Sequence, residues 1–243
     1  MRYITFSFDD AMLNQHEHGL RLMQEYGFRG TLGVVTGRVG QTYSHTPAWH
    51  VQAMTWGQIA DFSAAGWEIA SHSRHHRSVA NSYLNGPYAS LNGRELLAEV
   101  VGAKTDLQHH GYAPTTFIRP GSFFQNPPTI PEAILVREHY EARRLYYSGA
   151  YDPSHPFLNS LAFPLPHDLL AVHLISYKGL ERDLRNLMER LPEKSWVIFC
   201  VHGIEESLGG SVTITPQDFE LTLHLVKDSE ILVVPIDQGI LRS

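Results

Sequence analysis

Short apolar, β-branched runs alternate with amphipathic stretches along the 243 residues of the chain. The apolar runs predict strands at Tyr3 to Phe8, Thr31 to Thr36, Trp67 to Ser71, Thr115 to Ile118, Leu170 to Ile175, Trp196 to Val201 and Ile231 to Ile236. A weaker candidate covers Arg144 to Ser148. Several runs are apolar on both faces, as parallel strands covered by helices should be.

Helices are predicted between them. Leu180, Leu184, Leu187, Met188 and Leu191 keep helical spacing and form one apolar stripe. Thr215-Pro216-Gln217-Asp218 reads as a helix start, with Thr215 as N-cap and Pro216 in the first turn. Phe219, Leu223 and Val226 then make its buried face. Thr55-Trp56-Gly57-Gln58 reads as a capping box whose helix stops near Gly66. Further helices are expected from Gln15 to Tyr26, Gly93 to His109 and Pro131 to Arg143.

This alternation predicts an α/β fold on a parallel sheet. Seven or eight strands suit a closed or nearly closed barrel, and a doubly wound open sheet is the alternative. The stretches Asn81 to Leu91 and Pro153 to Pro166 read as irregular loops rather than domain boundaries. The expectation is one domain spanning 1–243.

Composition narrows the function. The formal charge of -6 argues against a nucleic-acid partner. No apolar run approaches the length of a membrane span. The N-terminus has no basic segment followed by an apolar one, so the sequence reads as cytoplasmic. The single cysteine, Cys200, excludes an internal disulfide and reads as a small core residue in a buried strand. Fifteen histidines are many, and most, such as His16, His18, His45, His50, His109, His110 and His224, have no motif around them.

Four signals carry chemistry, each just after a predicted strand. Asp9-Asp10 closes the first: adjacent carboxylates there repel each other and lose solvation, a cost that a metal or shared proton would offset. His72-Ser73-Arg74-His75-His76 follows the Trp67 to Ser71 strand. One helical turn would bring His72 and His76 onto one face, and imidazole pairs at that spacing bind zinc-like metals. His75 could pair with His72 instead. Asp10 is a suitable donor to complete a triad of two histidines and one carboxylate with positions open to water. Arg119-Pro120-Gly121 is either a sharp turn with a solvated arginine or one whose arginine pairs with a carboxylate. His202-Gly203 offers a histidine that could act as a general acid near neutral pH. All four lie at the carboxyl ends of strands, where α/β barrels build their active sites.

With these motifs in order, the chain resembles the polysaccharide deacetylase family, the NodB homology domain of carbohydrate esterase family 4. Thr5-Phe6-Ser7-Phe8-Asp9-Asp10 is similar to the family's first motif, and His72-Ser73-Arg74-His75-His76 to its His-Ser-x-x-His motif. Tyr26-Gly27-Phe28-Arg29-Gly30-Thr31, Thr55-Trp56, the run Ala65 to Ile69, Val201-His202 and Thr215 to Phe219 add to the resemblance. It implies a NodB-like distorted (β/α) barrel of about seven strands. It implies Asp9 as general base, His202 as general acid, and Asp10, His72 and His76 as ligands of a divalent metal, often zinc. Cobalt, nickel or iron would suit the same ligands. A backbone amide near Pro120 to Phe123 would face the oxyanion.

The implied activity is removal of acetyl groups from N-acetylated, or O-acetylated, carbohydrate. The alternatives are hydrolysis of a small non-carbohydrate amide, or a silent carbohydrate-binding relative. A homo-oligomer is open. The departures are Ala11 where the family usually has glycine, a third motif matched only in part, and no clear fourth motif. Arg119 is the candidate to orient the base, and Asp152 the substitute acid for the fourth motif.

Overall fold

The computed structural model describes residues 1–46, 49–77, 91–122, 129–150, 158–161, 166–206 and 212–241. Seven parallel strands close into a barrel: β1 (Arg2–Phe8), β2 (Thr31–Val34), β3 (Glu68–Ser71), β4 (Thr116–Ser122), β5 (Ala142–Ala150), β6 (Leu169–His173) and β7 (Ser195–Val201), with β7 pairing back onto β1. The barrel, not the open sheet, is therefore the architecture.

Alternation along each strand separates two packed layers. Ile4, Phe6 and Phe8 of β1 face outward into a large cluster with Phe62, Phe199, Phe219 and Leu223. Tyr3 of β1 points inward with Ala142, Leu169, Ala171, Trp196, Ile198 and Cys200. The inward column of β1 then turns polar going up the barrel, through Thr5 and Ser7 to Asp9, all buried. Trp196 donates its indole N–H to Thr5 Oγ1 at 2.9 Å, so the polar column is satisfied at its lower end.

The helices Trp56–Ala64, Gly93–His109, Ile130–His139, Leu180–Arg190 and Pro216–Asp228 cover the barrel. Thr55 and Gln58 form the expected reciprocal capping box. Thr215 accepts from the Asp218 N–H, with Pro216 in the first turn. The helix predicted at Gln15 to Tyr26 begins as a wide π turn, Gln15–Leu20, and continues as Arg21–Glu25.

Two strand expectations change. The weak candidate at Arg144 is a full barrel strand, β5. Of the apolar run Ile231 to Ile236, only Leu232–Val233 pairs, alongside Tyr3 and Ile4 at the lower end of β1. The chain then turns into the helix Ile236–Leu241, and Val234 and Ile236 pack on Trp196 within the barrel. Val234 and Ile236 thus fill the floor of the barrel, and Leu232–Val233 extend the sheet by two residues.

Residues 81–90, 153–157 and 162–165, most of the two stretches read as loops, lie outside the described residues, as do Asp152 and Phe123. No helix among the described residues is long and apolar enough to cross a membrane.

Candidate active site

The parallel register brings Asp9, Asp10, His72, His76 and His202 together at the carboxyl ends of the strands. Ser7 lies beside Cys200, and Cys200 beside His173, so one layer of the barrel joins β1, β7 and β6. Two residues higher, the Asp9 N–H donates to the Val201 carbonyl at 2.9 Å, which sets Asp9 next to His202. Gln15, fully buried, ties this junction: its Nε2 donates to the carbonyls of Asp9 and His202, each at 2.7 Å.

Asp10, His72 and His76 converge with ligand atoms within 4.8 Å of one another. Asp10 Oδ1 lies 3.5 Å from His76 Nε2 and 3.8 Å from His72 Nε2. An oxygen and a nitrogen bound at tetrahedral positions on one zinc ion stand about 3.4 Å apart, so the three donors fit such an ion with small adjustment. His72 Nδ1 lies 2.8 Å from the Ile118 carbonyl. That contact places a proton on Nδ1, facing the carbonyl, and turns Nε2 toward Asp10, the orientation that metal-binding histidines adopt. The donors therefore fit a divalent metal. Arg38 approaches the same Asp10 oxygen at 3.7 Å.

The histidines do not meet through a helical turn, as their spacing suggested. Ser73 and His76 both have left-handed φ, 62° and 50°. Ser73 Oγ accepts from the His76 N–H at 3.0 Å and closes this irregular loop. The two imidazoles end 4.8 Å apart, edge to face. Asp10 (φ 71°) and Ala11 (φ 49°) are also left-handed. Four non-glycine residues in that region cost energy, and such strain gathers where a site needs a particular geometry. His75 turns away from the cluster, half exposed, with Nδ1 2.7 Å from Glu99 Oε1.

Asp9 is completely enclosed. Burial opposes its ionisation, but Arg144, His72 and His202 together outweigh it, and the carboxyl is brought down to about 2. Arg144 Nη2 donates directly to Asp9 Oδ1 and lies 3.3 Å from Ser7 Oγ. Arg119 is placed elsewhere: Nε meets Glu132 Oε1 at 2.6 Å and Nη2 meets Oε2 at 3.3 Å, a buried two-point pair. The arginine on the candidate base is thus Arg144, not Arg119.

Arg144, Gln15 and His173 were missed from sequence. His173 could have been found by the rule that found the others, since it ends a strand at the same rim of the barrel. Tyr146 stacks on its ring at 3.9 Å and places its hydroxyl 2.8 Å from His173 Nδ1. His173 in turn meets His202 edge to face at 4.7 Å.

The family model described as polysaccharide deacetylase matches residues 1–133, more than half of the chain. Curated protein sequences give no significant match. Among solved structures, the Xyl-CE4 domain of a multidomain xylanase from the hindgut metagenome of Trinervitermes trinervoides aligns over 99% of this chain and 90% of its own, with a TM-score of 0.60 at 13% identity. A family 4 acetyl xylan esterase from Clostridium thermocellum, in complex with a cobalt ion, aligns over 98% and 90%, with a TM-score of 0.58 at 13% identity. Peptidoglycan deacetylase PdaC from Bacillus subtilis aligns over 98% and 89%, with a TM-score of 0.53 at 13% identity. At these identities the likeness speaks for the fold.

Proposed function

The chain belongs to the polysaccharide deacetylase family, and on that premise we propose that it is a metal-dependent hydrolase removing acetyl groups from N-acetylated, or O-acetylated, carbohydrate. The observation that carries this reading is the convergence of Asp10, His72 and His76 beside an enclosed, ionised Asp9. A binding module has no use for such a set, because holding so much charge out of water is costly.

Asp10, His72 and His76 would hold the metal. When bound, a divalent ion supplies Lewis acidity, making water more acidic and drawing electrons from a carbonyl. Asp9 accepts the proton of the attacking water. Arg144 keeps Asp9 ionised and fixes which oxygen is occupied, leaving Oδ2 on the side of His72. His202, held beside Asp9 by Gln15, donates a proton to the departing nitrogen as the C–N bond breaks. The products are acetate and a free amine, or a free hydroxyl when the substrate is an ester. The cobalt ion in the clostridial esterase of the same fold supports the choice of a divalent metal.

The test is metal content of the purified protein together with acetate release from N-acetyl sugars, their oligomers and O-acetyl esters, before and after chelation. About one equivalent of metal with chelator-sensitive release is expected. Metal without release from any of these substrates would overturn the carbohydrate reading.

A further inference from the structure

Asp9 stands between two donor clusters. Its Oδ2 is 3.8 Å from His72 Nε2 on one side and 3.4 Å from Cys200 Sγ on the other. The second cluster, His173, Cys200 and His202, has ligand atoms within 4.8 Å of one another. Cys200 Sγ lies 3.6 Å from His202 Nδ1. With zinc–sulfur and zinc–nitrogen bonds of about 2.3 and 2.0–2.1 Å, tetrahedral ligands S and N stand about 3.5–3.6 Å apart. The Cys200–His202 pair already has that spacing, and Asp9 Oδ2 is within reach as a fourth donor. The stacked, hydrogen-bonded Tyr146 holds the His173 ring as an outer partner holds a ligating imidazole. A thiolate with two imidazoles selects zinc-like ions over magnesium or calcium. The reaction assigned to Asp9 and His202 needs neither Cys200 nor His173.

We propose that His173, Cys200 and His202, with Asp9 at their edge, form a second, weaker site for a thiophilic divalent ion, and that filling it switches the hydrolase off. Binding replaces the thiol proton: Cys200 S–H and M²⁺ give a thiolate–metal bond and one proton released to solvent. Arg144, paired with Asp9 at the edge of this cluster, places a buried positive charge against an incoming ion. That charge makes this site fill after the Asp10 site, when metal is in excess. The switching rests on the roles proposed above, because the second ion takes the acid His202 and crowds the base Asp9. The site itself does not depend on those roles.

The experiment uses metal-free full-length protein titrated with Co²⁺, following bound metal and the near-ultraviolet sulfur-to-cobalt charge-transfer band. With a single cysteine in the chain, that band can arise only at Cys200. The first equivalent should leave the band absent and the second should raise it. Cys200→Ser should lose the band and one equivalent. His72→Ala should lose the other equivalent and keep the band. His173→Ala should weaken the second site at least tenfold. Acetate release should fall at least tenfold between one and two equivalents of zinc in the wild type, and not in Cys200→Ser. A wild-type protein that stops at one equivalent without the band overturns the site. A band without loss of activity overturns the switch. If no acetate is released at any metal level, the proposed function fails, while the band still judges the second site.

Discussion

Arg144 reaches Asp9 across the top of the barrel, from β5 to the end of β1, and both groups are shut away from water. The charges are mutually dependent: removing one partner of a buried pair leaves an uncompensated charge and costs about 3–5 kcal/mol. Arg119 has the same kind of dependence, but on Glu132. The two arginines therefore predict different outcomes. Arg144→Lys, which keeps the charge but loses the planar fork, should lower kcat about 100-fold with bound metal unchanged. Arg119→Lys should lower the unfolding midpoint and leave kcat within about threefold, because its partner takes no part in the reaction. Steady-state kinetics and thermal melts on both variants check this. Equal kinetic losses would return Arg119 to the reaction.

The serine of the His-Ser-x-x-His segment has a definite task. Ser73 Oγ accepts from the His76 N–H and holds a loop in which both residues are left-handed. Ser73→Ala removes that acceptor and lets His76 drift from Asp10. Metal affinity should fall about 10-fold, in line with the effect of outer partners at metal sites. Competition against a chelator of known affinity measures it. An unchanged affinity would mean that the loop is held by its ends alone.

What was legible in the sequence was local. Asp9-Asp10, His72 to His76 and His202 each follow an apolar strand, and strand ends are where barrels place chemistry. What was hidden depends on partners far along the chain. Arg144 lies 135 residues from Asp9, and no local pattern announces that pairing. The same arginine made β5 look weak, since Arg143-Arg144 interrupts the apolar run. Local rules fail at that strand because the site requires a buried cation there. Ile231 to Ile236 erred in the opposite direction: only Leu232 and Val233 pair along the sheet, while Val234 and Ile236 join Trp196 within the barrel. Cys200 was rightly placed in a buried strand, but its contact with Asp9 appears only when β7 pairs with β1.

Ala11 occupies a left-handed position, φ 49°, directly after the metal-side carboxylate, and its methyl is buried. Glycine there would relieve about 1–2 kcal/mol of steric cost but would lose comparable amounts in backbone entropy and apolar contact. Ala11→Gly should therefore be nearly neutral in stability. Ala11→Val adds a β-branched carbon that the left-handed region excludes, and should destabilise by about 2 kcal/mol or more. Urea unfolding midpoints decide the matter. A valine variant as stable as the wild type would show that the turn is free to relax.

Glu68 provides a pH dependence separate from the reaction. It begins β3, and its Oε2 accepts from Thr31 Oγ1 at 2.7 Å and from the Asp237 N–H at 3.2 Å. Burial, reinforced by the nearby Asp237 charge, raises its carboxyl to about 7. In the unfolded chain it would titrate near 4.5. Between these values the folded protein holds a proton that the unfolded chain has released. Stability should therefore be highest below about pH 4.5 as far as this group is concerned, fall as pH rises to about 7, and level off above. A shift of that size, shared with Asp237, corresponds to about 2–3 kcal/mol. Glu68→Gln removes the titration while keeping an oxygen to accept from Thr31. The variant should lose this decline, so that the gap between its stabilities at pH 5 and pH 8 shrinks by that amount against the wild type. An identical gap in both proteins would mean that Glu68 enters the fold already ionised.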